Sequence, residues 1–85
     1  MEITFSPKAL EHLNFWKKSG NMLIQRKIYS LIESLQTSPF EGIGQPEPLK
    51  HNLSGYWSRR INKEHRLVYQ VKEKEIEITS LKGHY

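Results

Sequence analysis

The chain contains no cysteine and no aspartate, and its four histidines have no regular spacing. Without cysteine there are no disulfides or thiolate metal sites, and nothing indicates an oxidising compartment. Without aspartate or a His-x-x-x-His pair, neither a carboxylate-rich cation site nor a zinc site is expected, so we expect no metal and no other cofactor. No signal peptide and no run of about 20 apolar residues is present. We therefore expect a cytoplasmic protein that does not associate with membranes.

Length and composition indicate a single domain over residues 1–85. A domain of this size buries only about 60–65% of the surface that its unfolded chain exposes, so it has room for one core. Hydrophobic residues make up 36% of the chain and occur in periodic runs, which favours folding over disorder. No repeat, linker or low-complexity stretch is found.

The positive charge is concentrated in one part of the chain. The net charge is +4, and residues 45–70 contribute +3 of it, with five Lys or Arg against two Glu. A localised basic surface favours an anionic partner, and nucleic acid is the leading candidate.

Two amphipathic helices are predicted in the first half of the chain. Ser6-Pro7 is typical of a helix N-cap followed by proline in the first turn, and Ser19-Gly20 is typical of a helix end. Apolar residues with helical spacing support this helix: Ala9, Leu10, Leu13 and Trp16. A second set supports another helix that stops at residues 37–39: Ile24, Ile28, Leu31, Ile32 and Leu35.

The second half of the chain has the period of β-strands. Residues 2–5 are also β-prone, residues 40–48 form a constrained Gly- and Pro-rich loop, and strands are predicted at 56–61, 66–71 and 75–81. In the strand 66–71, alternation places Leu67, Tyr69 and Val71 towards the helices and Arg66 on the opposite face. The expected fold is α+β, in the order β-α-α-β-β-β. Both helices pack on one face of an antiparallel sheet, and the other face is free for a ligand.

Four blocks of sequence resemble a known family. They are residues 38–42 "SPFEG", then "PEPLKHNLSGYWSRRI", then "EHRLVY" and finally "HY". In this order they resemble the YoeB/Txe branch of the RelE superfamily of toxin–antitoxin ribonucleases, over essentially the whole chain. The resemblance implies the compact RelE-like microbial ribonuclease fold. It also implies cleavage of mRNA in the ribosomal A site, beside ribosomal RNA, under the control of a cognate YefM-like antitoxin.

Metal-independent RNA cleavage needs a proton acceptor for the 2′-OH, a cation for the phosphorane and a proton donor for the leaving 5′-oxygen. The residues matching the family motif supply these groups from three separate segments. Glu47 would be the general base, Arg66 the phosphate-stabilising group and His84 the general acid. Tyr85 would stack on an unpaired base. Pro46 and Pro48 restrict the backbone of Glu47 and would hold its carboxylate in a fixed direction.

Five further residues are candidates for binding RNA or its phosphates: Lys50, His51, Arg59, Arg60 and Lys63. Charge and the resemblance place Lys50 and Arg59 near substrate phosphates. Alternation allows only one of Arg59 and Arg60 to share a surface with Arg66. For Arg60 and Lys63 a solvated basic face is at least as good an interpretation. His51 and His65 are equally compatible with structural hydrogen bonding, and His12 receives no functional assignment.

Two alternatives remain open at this point. A non-catalytic RNA- or ribosome-binding module would use the same basic face and aromatics, but it has no use for a base and an acid. A small transcriptional repressor is less favoured, because neither helix is basic enough to read DNA. Exposed aromatic residues make a homodimer plausible.

Overall fold

The computed structural model of the chain describes residues 1–84 and has the predicted α+β architecture. The elements follow in the order β1 (Glu2–Phe5), α1 (Pro7–Ser19), α2 (Met22–Thr37), β2 (Glu47–Pro48), a 3₁₀ turn (His51–Leu53), β3 (Tyr56–Arg60), β4 (Arg66–Val71) and β5 (Glu75–Ser80). Both predicted helices and all four predicted strands are confirmed. The short strand β2 lies inside the segment that was predicted to be a loop.

The helix ends follow the capping signals in the sequence. The Ser6 hydroxyl accepts a hydrogen bond from the Ala9 N–H at 3.1 Å, and Gly20 ends α1 with a φ of 74°. Asn21 caps α2 in the same way, because its side chain accepts from the Ile24 N–H at 3.1 Å. Leu10 is almost half exposed, so the buried face of α1 is narrower than its apolar pattern predicts. Neither helix within residues 1–84 has the length and apolar character needed to cross a bilayer.

The strands form one five-stranded sheet in the order β1-β5-β4-β3-β2. Strands β5, β4, β3 and β2 are antiparallel neighbours, whereas β1 runs parallel to β5, with Ile3 opposite Ile76. The sheet is therefore mixed, and the prediction of a purely antiparallel sheet is wrong for β1. The two helices connect β1 to the far edge of the sheet, so no short turn sets its direction.

Both helices pack on one face of the sheet. Leu67 and Tyr69 of β4 are fully buried in the core with α1 and α2, whereas Val68 lies outside this core cluster. The predicted orientation of β4 is confirmed, because Arg66 shares its face with Val68 rather than with the core. The open face can therefore carry charged residues without disturbing the core.

The loop before β2 packs closely on the core at Gly44. Gly44 has a φ of 83°, and its carbonyl accepts the Arg60 N–H at 2.7 Å. A Cβ added at this position would lie 2.7 Å from Leu31 Cδ2 and 3.1 Å from the Cβ of Arg59. Glycine is required here both by its backbone conformation and by the lack of space.

Gly44→Ala is expected to destabilise the fold by roughly 2–5 kcal/mol, the sum of the left-handed backbone cost and overpacking. Gly20→Ala is the matched control, since Gly20 also has a positive φ but a Cβ there meets nothing within 4 Å. It should cost only about 1–2 kcal/mol. Urea unfolding of both variants measures the difference, and equal losses would show that packing at Gly44 contributes nothing.

Candidate active site

Glu47 is placed by an edge strand. In β2, Glu47 lies opposite Ser58 and Pro48 lies opposite Trp57, and the Leu49 N–H donates to the Tyr56 carbonyl at 2.8 Å. An edge strand tolerates proline because its outer side needs no ladder hydrogen bond. The pairing with β3 fixes the backbone of Glu47 and places its side chain beside the open face of the sheet.

Arg66 links three neighbouring strands through one nitrogen. Its NH1 donates to Glu47 Oε1 at 2.9 Å and to Ser58 Oγ at 3.0 Å. The Arg66 side chain is 15% exposed and that of Glu47 is 55% exposed. The guanidinium is thus held in place while the carboxylate remains open to solvent. An ion pair this exposed contributes only about 0–1 kcal/mol to stability, so the fold does not depend on it. The contact of Ser58 with Arg66 was not predicted from the sequence.

The segment after β5 brings the backbone just before His84 against β4. The Arg66 N–H donates to the Gly83 carbonyl at 3.0 Å, and the Gly83 N–H donates to His65 Nδ1 at 3.0 Å. His84 follows Gly83 directly and is exposed. The structure therefore brings the segments of Glu47, Arg66 and His84 together. Tyr85, the predicted stacking residue, lies outside the described residues.

Side chains of α1 hold the backbone of Leu81, at the start of this segment. Trp16 Nε1 donates to the Leu81 carbonyl at 2.9 Å, and the Leu81 N–H donates to His12 Nδ1 at 3.1 Å. Burial lowers the pKa of His12 from its ordinary value, the nearby Lys8 and Lys82 lower it further, and Glu11 acts in the opposite direction. His12 therefore has a structural contact that sequence analysis did not foresee.

Arg59 does not lie on the open face. It is fully buried opposite Leu67, on the side of the helices. The NH1 and NH2 groups of its guanidinium donate to four acceptors, which are Ser38 O at 2.6 Å, Ser34 Oγ at 2.7 Å, Glu41 O at 2.9 Å and Ile43 O at 3.2 Å. The prediction that Arg59 contacts substrate phosphates is wrong for this structure, because the side chain is enclosed by residues 34–43. Arg60, which is exposed and pairs with Arg66, is the arginine on the open face.

Tyr69 completes the surroundings of Arg59. Its hydroxyl accepts from Arg59 Nε at 3.3 Å and donates to the Pro39 carbonyl at 2.7 Å. Burial raises the pKa of Tyr69, and the hydrogen bond from Arg59 opposes that change. The neutral hydroxyl is therefore the form that ties the loop to β4.

The remaining basic candidates are exposed. Lys50 and His51 follow β2, and Lys63 lies in the turn between β3 and β4. His51 has a φ of 61°, which is unusual for a residue other than glycine. Among residues 1–84, no group of three or more His, Cys, Asp or Glu side chains is placed to hold a metal ion.

An open cavity of about 240 Å³ lies at the sheet, with Val68 of β4 in its lining. It is lined by Lys8, Leu53, Tyr56, Val68, Thr79 and Ser80. Val68 is two residues from Arg66 on the same strand and points to the same side. The cavity is smaller than the 300–1,000 Å³ of most drug-sized ligand sites.

Comparison with solved structures supports the fold over the full length. The YoeB/ParE toxin from Agrobacterium tumefaciens superposes with a TM-score of 0.95 and is 37% identical, with 100% of each chain covered. YoeB from Staphylococcus aureus in its complex with YefM has a TM-score of 0.89 and 49% identity, covering 100% of this chain and 98% of that one. The structure of a YoeB dimer from Staphylococcus aureus has a TM-score of 0.90 and 48% identity, covering 100% of this chain and 98% of that one.

Sequence comparison gives the same result. The family model described as "YoeB-like toxin of bacterial type II toxin-antitoxin system" matches residues 5–85. Toxin YoeB of Escherichia coli strain K12 is 44% identical over 85 residues, which is 100% of both chains. The chain therefore belongs to the YoeB-like toxins of bacterial type II toxin–antitoxin systems.

Proposed function

We propose that this toxin is a ribosome-dependent and metal-independent endoribonuclease that cleaves mRNA in the ribosomal A site and so inhibits translation. The observation that carries the proposal is the contact of Arg66 NH1 with Glu47 at 2.9 Å, together with the hydrogen bond that fixes Gly83 to the Arg66 backbone. The carboxylate of Glu47 thus contacts the guanidinium of Arg66. His84, which carries the imidazole, directly follows Gly83, whose carbonyl is bonded to the Arg66 N–H.

The reaction balances with these three groups. Glu47 accepts the proton of the 2′-OH, and the 2′-oxygen attacks the adjacent phosphorus to form a five-coordinate phosphorane. The bond from phosphorus to the 5′-oxygen then breaks, and protonated His84 gives its proton to that oxygen. The products are a 2′,3′-cyclic phosphate and a 5′-hydroxyl. Imidazole suits the last step because it exchanges protons near neutral pH.

The hydrogen bonds of Arg66 leave part of its guanidinium for the substrate. A guanidinium has five N–H donors, and the contacts within residues 1–84 use only those of NH1. The NH2 and Nε donors form a fork that matches two phosphate oxygens. Glu47 and Ser58 therefore orient the guanidinium, and the opposite edge stabilises the charge that develops on the phosphorane.

The surrounding surface provides contacts to the rest of the RNA. Lys50, His51, Arg60 and Lys63 are exposed and would contact phosphates of mRNA or ribosomal RNA. Tyr85 would stack on an unpaired base, and the 240 Å³ cavity would accept a neighbouring base beside Tyr56. Arg59 is excluded from this set by its burial.

We infer that a YefM-like antitoxin and a second copy of the chain are protein partners, because similar YoeB structures from S. aureus include one complex with YefM and one dimer. Large apolar side chains remain exposed on the helices and on the loop after α2: Leu10, Phe15, Met22, Leu23, Tyr29, Phe40 and Ile43. The proposed reaction takes place in the cytoplasm, where ribosomes translate.

The decisive experiment uses ribosomes programmed with an mRNA that carries a single 2′-deoxynucleotide at the mapped cleavage position. Wild-type protein should cut the all-ribose mRNA and spare the substituted one, because the nucleophile is missing. Glu47→Gln should slow cleavage by roughly 10²–10⁴-fold, the usual contribution of a general base.

The same experiment separates cleavage from mere binding. Inhibition of translation by Glu47→Gln at the wild-type level, without cut mRNA, would show a ribosome-binding module instead. Cleavage of the deoxy-substituted mRNA would refute attack by the 2′-oxygen.

A further inference from the structure

Two histidine side chains outside the proposed catalytic set hold the backbone next to His84. His12 Nδ1 accepts the Leu81 N–H at 3.1 Å, and His65 Nδ1 accepts the Gly83 N–H at 3.0 Å. A ring nitrogen accepts a hydrogen bond only when it carries no proton. Both contacts therefore require the neutral tautomer that has its proton on Nε2.

His12 replaces a hydrogen-bond acceptor that β1 does not provide, because β1 ends before it reaches Leu81. Strand β1 pairs with β5 only as far as Phe5, which lies opposite Ile78. Beyond that point β5 has lost its strand partner on this edge, and α1 lies there instead. His12 of α1 supplies the acceptor that the Leu81 N–H would otherwise lack, and a buried N–H without a partner is costly.

The contact of His65 is supported by a second aromatic ring. The rings of His65 and Trp16 meet edge to face, with centroids 4.8 Å apart and planes at 75°. Trp16 also donates its Nε1–H to the Leu81 carbonyl at 2.9 Å. Leu81 and Gly83 are thus held by side chains that also contact one another.

Gly83 receives a further hydrogen bond on its carbonyl, from the Arg66 N–H at 3.0 Å. Its φ of 101° is a conformation that other residues rarely adopt. The backbone that precedes His84 is therefore fixed on both its N–H and its carbonyl. One of these groups is bonded to His65 and the other to Arg66.

We propose that His12 and His65 are positioning residues that, as neutral hydrogen-bond acceptors, fix residues 81–83 and thereby orient His84 towards the scissile phosphate. This inference rests on the proposed ribonuclease function. It assigns opposite protonation states to the histidines, since His84 must carry a proton to act as an acid whereas His12 and His65 must lack one at Nδ1.

The surroundings of His12 favour the required state. Lys8 on α1 and Lys82 beyond β5 disfavour a positive charge on the ring, Glu11 on α1 favours it, and burial has the largest effect, so the pKa of His12 is lowered. The neutral acceptor is therefore maintained at neutral pH. Acidification through the lowered pKa protonates Nδ1 and breaks its contact with Leu81.

Two substitutions at residue 65 distinguish the role of His65 as a hydrogen-bond acceptor from the role of its ring in packing. His65→Phe keeps a ring against Trp16 but removes the acceptor, whereas His65→Asn removes the ring but places an amide oxygen near the position of Nδ1. The readouts are the amide exchange of Gly83, the backbone order parameter of His84, and single-turnover cleavage of ribosome-bound mRNA.

For His65→Phe we expect exchange at Gly83 at least about 10-fold faster and an order parameter at His84 below about 0.6. Cleavage should fall roughly 10- to 100-fold with unchanged affinity for the ribosome, since a misplacement of about 1 Å can cost 10²-fold. His65→Asn should recover most of the protection and rate. Unchanged exchange in His65→Phe, or equal losses in both variants, would overturn the role of His65.

His12 is tested in the same way with His12→Asn and a pH series. In the wild type, acidification should loosen Leu81, as measured by its backbone relaxation. His12→Asn should keep Leu81 ordered, since an amide does not titrate in this range. An identical acid profile in both proteins would overturn the role of His12.

Failure of the ribonuclease proposal can be recognised separately. If the wild type cuts no mRNA while His65→Phe still frees Gly83, the proposed function is wrong and the backbone contact is real. If the wild type cuts mRNA and His65→Phe leaves Gly83 protected, the ribonuclease stands and the positioning role is refuted.

Discussion

Arg66→Lys is expected to lower the rate of mRNA cleavage on ribosomes by roughly 10²–10³-fold, the usual loss when one preorganised donor to a developing charge is removed. Lysine keeps the positive charge but presents a point charge in place of a planar fork. In the structure, NH1 contacts both Glu47 and Ser58, and this orients the remaining donors. An ammonium that approaches Glu47 cannot also offer two parallel donors to a phosphate.

The measurement is single-turnover cleavage with saturating ribosomes, combined with thermal unfolding of the same samples. The midpoint should change little, because the ion pair with the half-exposed Glu47 adds only about 0–1 kcal/mol. Arg60→Lys is the matched control. It changes an arginine on the same face, opposite Arg66 in the sheet, and should reduce cleavage by less than about 10-fold. Near-normal cleavage by Arg66→Lys would remove the phosphate-binding role of the fork.

The helices and the orientation of β4 could be predicted because their signals are local. Ser6-Pro7 and Ser19-Gly20 mark the ends of α1, and the structure confirms both. Alternation along β4 placed Arg66 on the open face, which the burial of Leu67 and Tyr69 confirms. These features depend on residues within one turn or one strand, so the sequence shows them directly.

The direction of β1 and the end of β5 could not be predicted, because they depend on contacts between distant residues. A shift of register between β4 and β5 occurs at Val68/Tyr69. Simple alternation from Ile76 and Ile78 would turn residue 80 towards the core and residue 81 away from it, yet Leu81 is fully buried in the core. This irregularity determines how the chain approaches His84, and no local pattern marks it.

Which of Arg59 and Arg60 lies on the open face also could not be predicted from local sequence. Alternation predicts that only one of them shares a face with Arg66. The family resemblance, together with charge, favours Arg59 as the residue that contacts substrate phosphates. The structure places Arg59 inside because the carbonyls of Ser38, Glu41 and Ile43 surround its guanidinium. Arginine is almost never fully buried unless its charge is compensated, so its type alone predicted exposure.

Arg59 therefore supports the site from inside the fold. It holds residues 38–43, which lead to Gly44 and then to Glu47 on β2. Arg59→Met is expected to cost several kcal/mol, because each buried acceptor left without a donor costs about 1–3 kcal/mol. Against a total stability of about 5–15 kcal/mol for a small domain, much of the variant would be unfolded.

Urea unfolding of Arg59→Met beside Arg60→Met measures this directly. Both variants lose one positive charge from adjacent positions of β3, but Arg60 is exposed, so its loss should stay within about 0.5 kcal/mol. Arg59→Lys gives an intermediate case if the methionine variant does not fold, since one ammonium can satisfy some of the five acceptors of the guanidinium. A folded Arg59→Met of wild-type stability that fails to cleave mRNA would instead place Arg59 in contact with RNA. The expected result is the opposite one, in which cleavage declines only in proportion to the folded fraction, because the guanidinium acts on the loop that carries Glu47 and never meets the substrate.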